Sequence, residues 1–260
     1  MRRWLIFGWL AVVCLVSGVG AGAREPEALG ASTQMLVVTT ADWNADTGTL
    51  QAYERAGARK RWKKVGAAIP VAVGKNGLGW GAGAAAIPGI GGGAGPVDLG
   101  PVKKEGDGKA PAGLFRLGTA FGDAAQEPAG WKMPYLALTP TVECVDDPKS
   151  KFYNQLVDRA AVTPDWTSSE HMREAGEYYQ WGLVVEHNAD PATPGAGSCI
   201  FMHFWGAPGR ATVGCTAMAM DRLEELLAWL GPARKPLLAQ MPVGNYKKLR
   251  RSWKLPRAAR

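Results

Sequence analysis

Short apolar runs rich in branched residues, separated by turn residues, dominate this chain and predict a mainly β fold with a few helices. Residues 35–40 and 49–53 flank the turn-forming stretch 44–48, so they predict a hairpin. Residues 62–73 predict a further pair of strands. Residues 200–204 predict a strand that ends in the Gly- and Pro-containing loop that follows it.

Two segments predict helices. Asp221 to Leu230 places leucines at helical spacing and is followed by a Gly-Pro stop, which indicates a helix with a buried leucine face. Pro148 to Val157 predicts a second helix, because Asp147 can cap it and Pro148 suits its first turn. Residues 77–100 are rich in Gly, Ala and Pro and predict a surface loop. That loop lacks the Lys-Ser or Lys-Thr ending of a phosphate-binding loop, which argues against nucleotide binding.

The candidate chemistry lies at the predicted 200–204 strand and the loop after it. His203 and Phe201 share one face of this strand if the alternation holds, and the chain returns from the loop to Cys215. A thiol is a strong nucleophile only as the thiolate, and a nearby imidazole is a common acceptor for its proton. Gly214 permits close backbone approach, and N–H groups at Gly214 and Cys215 are candidate donors to a tetrahedral oxyanion. The plainer alternative is a packed, unreactive cysteine.

At these residues the chain resembles the catalytic domain of L,D-transpeptidases, the YkuD-like family of bacterial cell-wall enzymes. The family pattern is a His on a strand, a loop, a Ser or Thr, a variable residue, Gly and the nucleophilic Cys. His203, Thr212, Gly214 and Cys215 match it. The resemblance implies a β-sandwich or mixed sheet in which a Cys-bearing turn is followed by a bracing helix.

The resemblance extends over roughly residues 62–240. Residues 104–115 are similar to a family turn in which a Pro-x-Gly element enters a strand, 73–77 to an earlier hairpin, and 184–188 to the strand before the catalytic one. Val213 and Ala217 depart from the pattern, because many members carry His at the first position and Arg or Asn at the second. These departures concern the substrate specificity more than the nucleophilic chemistry.

Five further residues are candidate substrate-binding groups. Arg210 lies in the loop between the two reacting residues and suits a substrate carboxylate, although a solvated loop Arg is an equal alternative. Trp205 and Tyr135 are candidates for lining a groove, and Thr212 belongs to the matched motif. His187 precedes the catalytic strand, where a structural histidine is the simpler interpretation.

The N-terminus has the three-part layout of a secretory signal peptide. Arg2 and Arg3 precede an apolar run that ends at the small residues 21–23, so we expect a leader over residues 1–23 and export to the periplasm or cell wall. The apolar run is short for a membrane span, and no stable span is expected after cleavage. The rest predicts one catalytic domain over residues 24–246 and a basic tail over residues 247–260.

Three cysteines remain after the leader. We expect a Cys144 to Cys199 disulfide that leaves Cys215 free, with three reduced thiols as the alternative. The three histidines show no metal-ligand spacing, so neither a metal nor another cofactor is expected. The acidic pairs at 105 and 107 and at 146 and 147 adjoin Gly or Pro, which favours turn chemistry over glycoside hydrolysis.

The formal net charge of +7 is reinforced locally by seven cationic residues in the predicted tail. Such a tail attracts polyanions, here anionic cell-wall polymers or the envelope surface, whereas export removes nucleic acid as a partner. A disordered solubilising tail is the alternative.

Three functions compete at this stage. The first is an L,D-transpeptidase that crosslinks peptidoglycan stem peptides through a Cys acyl-enzyme. The second is a Cys-dependent carboxypeptidase or amidase that hydrolyses the stems or releases wall-anchored protein. The third is a non-catalytic wall-binding domain, which the presence of both Cys215 and His203 disfavours.

Overall fold

A computed structural model describes residues 26–83 and 100–257. The strands in these ranges are β1 Gln34–Thr40, β2 Thr47–Glu54, β3 Lys63–Ala72, β4 Leu78–Trp80, β5 Ala110–Gly122, β6 Tyr135–Ala137, β7 Val142–Val145, β8 Leu156–Asp158, β9 Ser169–His171, β10 Trp181–Val185, β11 Phe201–Phe204, β12 Thr216–Met218 and β13 Leu237–Pro242. The helices are α1 Glu27–Ala31, α2 Met220–Trp229 and α3 Val243–Leu249, with 3₁₀ turns at Gly176–Tyr179 and Pro232–Arg234. The mainly β architecture with a few helices is therefore confirmed.

Eight strands form a closed ring. Their order is β10, β11, β12, β3, β2, β1, β13 and β5, and β5 pairs back onto β10. The pairs β11 with β12 and β1 with β13 are parallel, while the other ring pairs are antiparallel. Closure removes exposed edges from these strands and encloses a core of aliphatic and aromatic side chains. The catalytic-motif strand β11 is thus held on both sides.

A second, three-stranded sheet in the order β8, β7, β9 packs beside the ring. Cys144 on β7 and Cys199, which precedes β11, are joined by a disulfide, as expected, and Cys215 is the free thiol among the described cysteines. The disulfide therefore ties the small sheet to the segment that leads into β11.

Helix α2 confirms the predicted bracing helix. Leu223, Leu226 and Leu227 are buried on its inner face, and the helix contacts β10 and β11. It begins two residues after β12 ends, so the Cys-bearing turn, β12 and α2 form one continuous unit.

The predicted boundary between domain and tail at residue 246 does not match the packing. Helix α3 crosses that boundary, and Leu249, Trp253 and Leu255 are all buried in the main core. The basic residues 247–257 alternate with these apolar anchors, so this stretch is part of the domain. The sequence prediction of a tail was based on the positive charge of this segment, which does not prevent its apolar residues from packing.

Other local predictions need correction. The helix predicted over residues 148–157 is wrong: these residues form a turn-rich connection into β8, with Asn154 at a φ of 62°. The Asp147 carboxylate does accept the Lys149 N–H at 2.9 Å, but it caps a turn. Residues 62–73 contain one long strand, β3, and not the predicted pair, because β2 pairs along its length, with Gly66 near the register shift. The predicted hairpin at 73–77 is a turn into β4, which pairs with β5 and not with β3.

Two further predictions fall where the structure has no description. The signal peptide at residues 1–23 lies outside the described residues, as does most of the Gly-rich segment 77–100. Among the residues that are described, no helix has both the length and the apolar character needed to cross a bilayer.

Candidate functional site

Parallel pairing of β11 with β12 brings the motif residues together. His203 is opposite Ala217, and Met202 is opposite Thr216, which places Cys215 just before β12 at the level of Phe201. Because side chains alternate along strands, His203 and Cys215 lie on the same face as diagonal neighbours, a separation of about 7–8 Å between backbones. The sequence alone did not reveal that these two segments run parallel.

The turn before Cys215 is held by Thr212. Its hydroxyl donates to the Cys215 carbonyl at 2.7 Å and accepts the Gly214 N–H at 3.1 Å. Its backbone N–H donates to the Val73 carbonyl at 2.9 Å, which ties the turn to the end of β3. Thr212 therefore builds the turn, and the structure does not support the substrate-binding role predicted for its side chain.

The role predicted for Gly214 also changes. Its N–H is already used by Thr212, so it is not a spare oxyanion donor. A Cβ at this position would lie 3.3 Å from the Lys109 carbonyl oxygen, so glycine is favoured here by close backbone packing. The exposed residue of the turn is Val213, with 69% of its surface accessible.

Cys215 is buried, with only 5% of its surface exposed, and does not lie at the mouth of an open cleft. Its sulfur accepts the Phe201 N–H at 3.3 Å and donates to the Cys199 carbonyl at 3.6 Å. Burial first, and the charge of Glu170 second, raise the pKa of the thiol to about 12. Cys215 at rest is therefore a protonated thiol at neutral pH.

His203 is buried on the same face and oriented by a backbone group. Its Nδ1 lies 2.8 Å from the Phe204 carbonyl oxygen, which assigns the proton to Nδ1 and leaves Nε2 as the acceptor. Burial lowers the pKa of the imidazole, so the ring is neutral and able to accept a proton. Within residues 26–83 and 100–257, no hydrogen bond joins this ring to the Cys215 sulfur.

Tyr179 fills the space around both residues and was missed by sequence reasoning. Its ring meets His203 edge-on with centroids 5.4 Å apart, and it packs against Phe201 at the same distance. Its hydroxyl donates to Oε2 of Glu170 at 2.6 Å and also lowers the pKa of the Cys215 thiol. The same side chain thus hydrogen-bonds to the Glu170 carboxylate and acts on the pKa of the free thiol.

Glu170, on β9, is the ionisable partner of this hydroxyl. Burial raises the pKa of its carboxyl to about 7, against the lowering effect of the Tyr179 hydrogen bond. The charge on Glu170 therefore changes near neutral pH. Its position in a polar stretch of sequence gave no signal of this, because only the folding of the small sheet against β11 brings it here.

Tyr178 holds Arg210 near His203. Its guanidinium donates to the Tyr178 hydroxyl at 3.0 Å, and the Tyr178 ring lies 6.5 Å from the His203 ring. Tyr178 also stacks on Phe204. The exposed charge of Arg210 is thereby positioned at the outer side of the His203 pocket.

The other candidates lie elsewhere. Trp205 follows β11, is partly buried, and donates its backbone N–H to the Met218 carbonyl at 2.8 Å. Tyr135 and His187 line a separate cleft of about 430 Å³ beside the disulfide, and Cys215 does not line it. Tyr135 donates its hydroxyl to the Ala124 carbonyl at 2.8 Å. These contacts do not join Tyr135 or His187 to the reacting pair.

His187 has a packing role. It is 1% exposed, contacts the Phe115 ring edge-on, and has one ring nitrogen 3.0 Å from the Ala196 carbonyl oxygen. Burial lowers its pKa to about 4, so it is neutral above mildly acidic pH. The structural interpretation of His187 fits these contacts.

One member of each acidic pair acts in a turn, as expected, namely Asp107 and Asp147. Asp107 accepts the Lys103 ammonium at 2.6 Å and backbone N–H groups of its own loop. Glu105 accepts the Tyr153 and Ser198 hydroxyls, which fixes the loop before β11. Across the described ranges, no group of three or more His, Cys, Asp or Glu side chains has an arrangement able to hold a metal ion.

Comparison with known families gives one result. The sequence profile of the YkuD L,D-transpeptidase catalytic domain matches residues 39–243, well over half of the chain. Comparisons with curated proteins and with solved structures gave no significant match.

Proposed function

Because this chain belongs to the L,D-transpeptidase catalytic domain family, we propose that it is an exported cysteine acyltransferase that acts on peptidoglycan stem peptides. Its Cys215 forms the acyl-enzyme, and a second stem accepts the acyl group to form a crosslink. The observation that carries this proposal is the same-face placement of Cys215 and His203 across the parallel β11 and β12 pair.

The first step is removal of the thiol proton. The sulfur turns from the Cys199 carbonyl toward Nε2 of His203, which accepts the proton while Nδ1 keeps its hydrogen bond to the Phe204 carbonyl. The Phe201 N–H, which already donates to the sulfur, stabilises the thiolate. These contacts support His203 as the general base and explain why its neutral tautomer suits that role.

The thiolate then attacks an amide carbonyl of the stem peptide. The carbon–sulfur bond forms, the carbon–nitrogen bond breaks, and the leaving amine takes the proton from His203. In the second half an acceptor amine gives its proton to His203 and attacks the thioester carbonyl, so that a carbon–nitrogen bond forms and the carbon–sulfur bond breaks. His203 then returns the proton to the departing sulfur, which restores the resting thiol. Arg210, held by Tyr178 beside the His203 pocket, is placed to meet a stem carboxylate.

Hydrolysis is the second candidate function. The burial of Cys215 favours it, because water reaches a thioester carbonyl carried on a 5% exposed sulfur more easily than the side-chain amine of a second stem does. In that case the products are those of a carboxypeptidase or amidase, or a released wall-anchored protein.

Mass spectrometry of stem-peptide fragments incubated with the protein tests these alternatives. A crosslinked dimer supports transpeptidation, and loss of a residue without a dimer supports hydrolysis. If neither a product nor an acyl adduct on Cys215 is found, the result supports a non-catalytic wall-binding domain. In the matched control, Cys215→Ala retains the fold and loses all turnover, whereas near-parental turnover would overturn the assignment of the nucleophile.

The role of His203 has its own test. His203→Ala slows acylation by about 100-fold or more, the scale of a lost general base. A loss of only a few-fold would require another base. Export to the periplasm or cell wall belongs to the same proposal, and the leader expected over residues 1–23 supports it. The intact mass of the protein purified from the cell envelope is expected to equal that of a chain that starts at Arg24.

A further inference from the structure

A basic groove of about 1280 Å³ lies between the β2–β3 connection and the segment that follows α3. Nine cationic side chains line it, five from the hairpin side and four from the C-terminal side, and no Asp or Glu lines it among the described residues. The two sets are almost 190 positions apart in sequence. Only the packing of Trp253 and Leu255 into the core brings them together.

The charge of this protein is concentrated in the groove. The whole chain has a formal net charge of +7, so nine cations in one groove mean that the remainder is slightly acidic. Seven of the nine form no salt bridge within the described part of the chain: Arg59, Lys60, Arg61, Lys64, Arg250, Arg251 and Arg257. Like charges held this close repel one another, and a bound polyanion relieves that repulsion.

We propose that this groove binds a linear anionic polymer whose charges are phosphate groups. Five of the nine cations are arginines whose side chains are not buried, and the planar fork of arginine matches phosphate oxygens in pairs. The sixth arginine, Arg55, is buried and donates to the Ser32 and Leu29 carbonyls, so it contributes charge but no phosphate contact. A stem peptide carries too few carboxylates to match the other eight cations. The concave shape favours a chain that enters the groove over a flat membrane surface, which contacts only the rims.

The groove is far from the reacting residues. Strand β3 begins at Lys63, beside the groove, and ends at Ala72, which pairs with Ala217 two residues after Cys215. Ten residues of extended chain span roughly 30 Å. A polymer in the groove therefore leaves the catalytic site open, and the groove anchors the domain on its polymer while the site acts.

Binding of inorganic polyphosphate to the full chain, measured by calorimetry over a range of salt concentrations, tests the proposal. The variant combines Arg59→Gln, Arg61→Gln and Arg251→Gln, three exposed side chains without salt bridges. Affinity is expected to fall by at least about tenfold at low salt. The slope of log affinity against log salt should fall by about 2, because each lost contact with a flexible phosphate chain removes about 0.7.

A control variant makes the same change in net charge outside the groove. Lys132→Gln, Lys149→Gln and Lys235→Gln are exposed and do not line it, so affinity should stay within about twofold of the parent. Equal losses in both variants would reduce the effect to overall charge and overturn the proposal. No binding of polyphosphate, or stronger binding to anionic phospholipid vesicles, would also overturn it. Cys215→Ala should bind like the parent, so failure of acyl transfer does not affect this test.

Discussion

Replacement of Glu170 by Gln should make Cys215 more reactive, and only above neutral pH. The substitution removes a negative charge but keeps an oxygen that can accept the hydrogen bond of the Tyr179 hydroxyl. In the parent this hydroxyl lies 2.6 Å from Oε2 of Glu170. The parent carboxyl has a pKa raised to about 7 by burial, so it is mostly protonated at about pH 5.5 and mostly ionised at about pH 8.5. Its charge raises the pKa of the Cys215 thiol only when it is ionised.

The size of the effect follows from the separation of the charges. Two charges bridged by a single hydroxyl are roughly 6 Å apart, and this separation is used for Glu170 and Cys215. With an effective dielectric constant of about 20, their repulsion is about 3 kcal/mol, or about 2 pKa units. Glu170 is partly exposed, which weakens the repulsion, so a gain of about 10-fold to 100-fold in thiolate is expected.

Alkylation by iodoacetamide, followed by peptide mass spectrometry at Cys215, measures this gain directly. The ratio of variant to parent rates should rise from about 1 at pH 5.5 to between about 10 and 100 at pH 8.5, with its midpoint near the pKa of Glu170. Glu177→Gln is the matched control, since this exposed carboxylate lies in the 3₁₀ turn that contains Tyr179. Equal rates at high pH, or a ratio that does not change with pH, would refute the coupling of Glu170 to the sulfur.

Two stability predictions follow from buried groups. The pKa of His187 is lowered to about 4 in the fold, so the stability that depends on its neutral form is fully present above about pH 6.5. As the pH falls towards 4, about 3 kcal/mol of unfolding free energy should be lost. Urea unfolding from pH 7 to 4 should show this loss in the parent and less of it in His187→Gln, and parallel profiles of the two proteins would contradict the prediction. Reduction of the Cys144 to Cys199 bridge, which closes a separation of 55 residues, should cost about 4 kcal/mol of unfolding free energy. Unfolding with and without reductant measures that cost, and an unchanged midpoint would show that the bridge does not constrain the unfolded chain.

Local pattern was sufficient for much of the fold. Branched apolar runs predicted β1, β2 and β11, and leucine spacing predicted α2, because side-chain periodicity depends only on near neighbours in sequence. It failed at residues 148–157, where the capping signal of Asp147 was correct but the chain continues as a turn. A cap fixes the start of a turn and does not ensure that a helix follows.

The sequence alone established the family resemblance, the Cys–His pair as candidates and the expected disulfide. Tertiary structure alone decided that Cys215 is buried, that Glu170 and Tyr179 act on the pKa of its thiol, and that the basic C-terminal stretch packs beside the β2–β3 connection. The physical reason is that the charge state of a group depends on burial and on neighbours that closure of the strand ring brings from distant parts of the chain. Residue type and spacing along the sequence do not predict which distant residues become those neighbours.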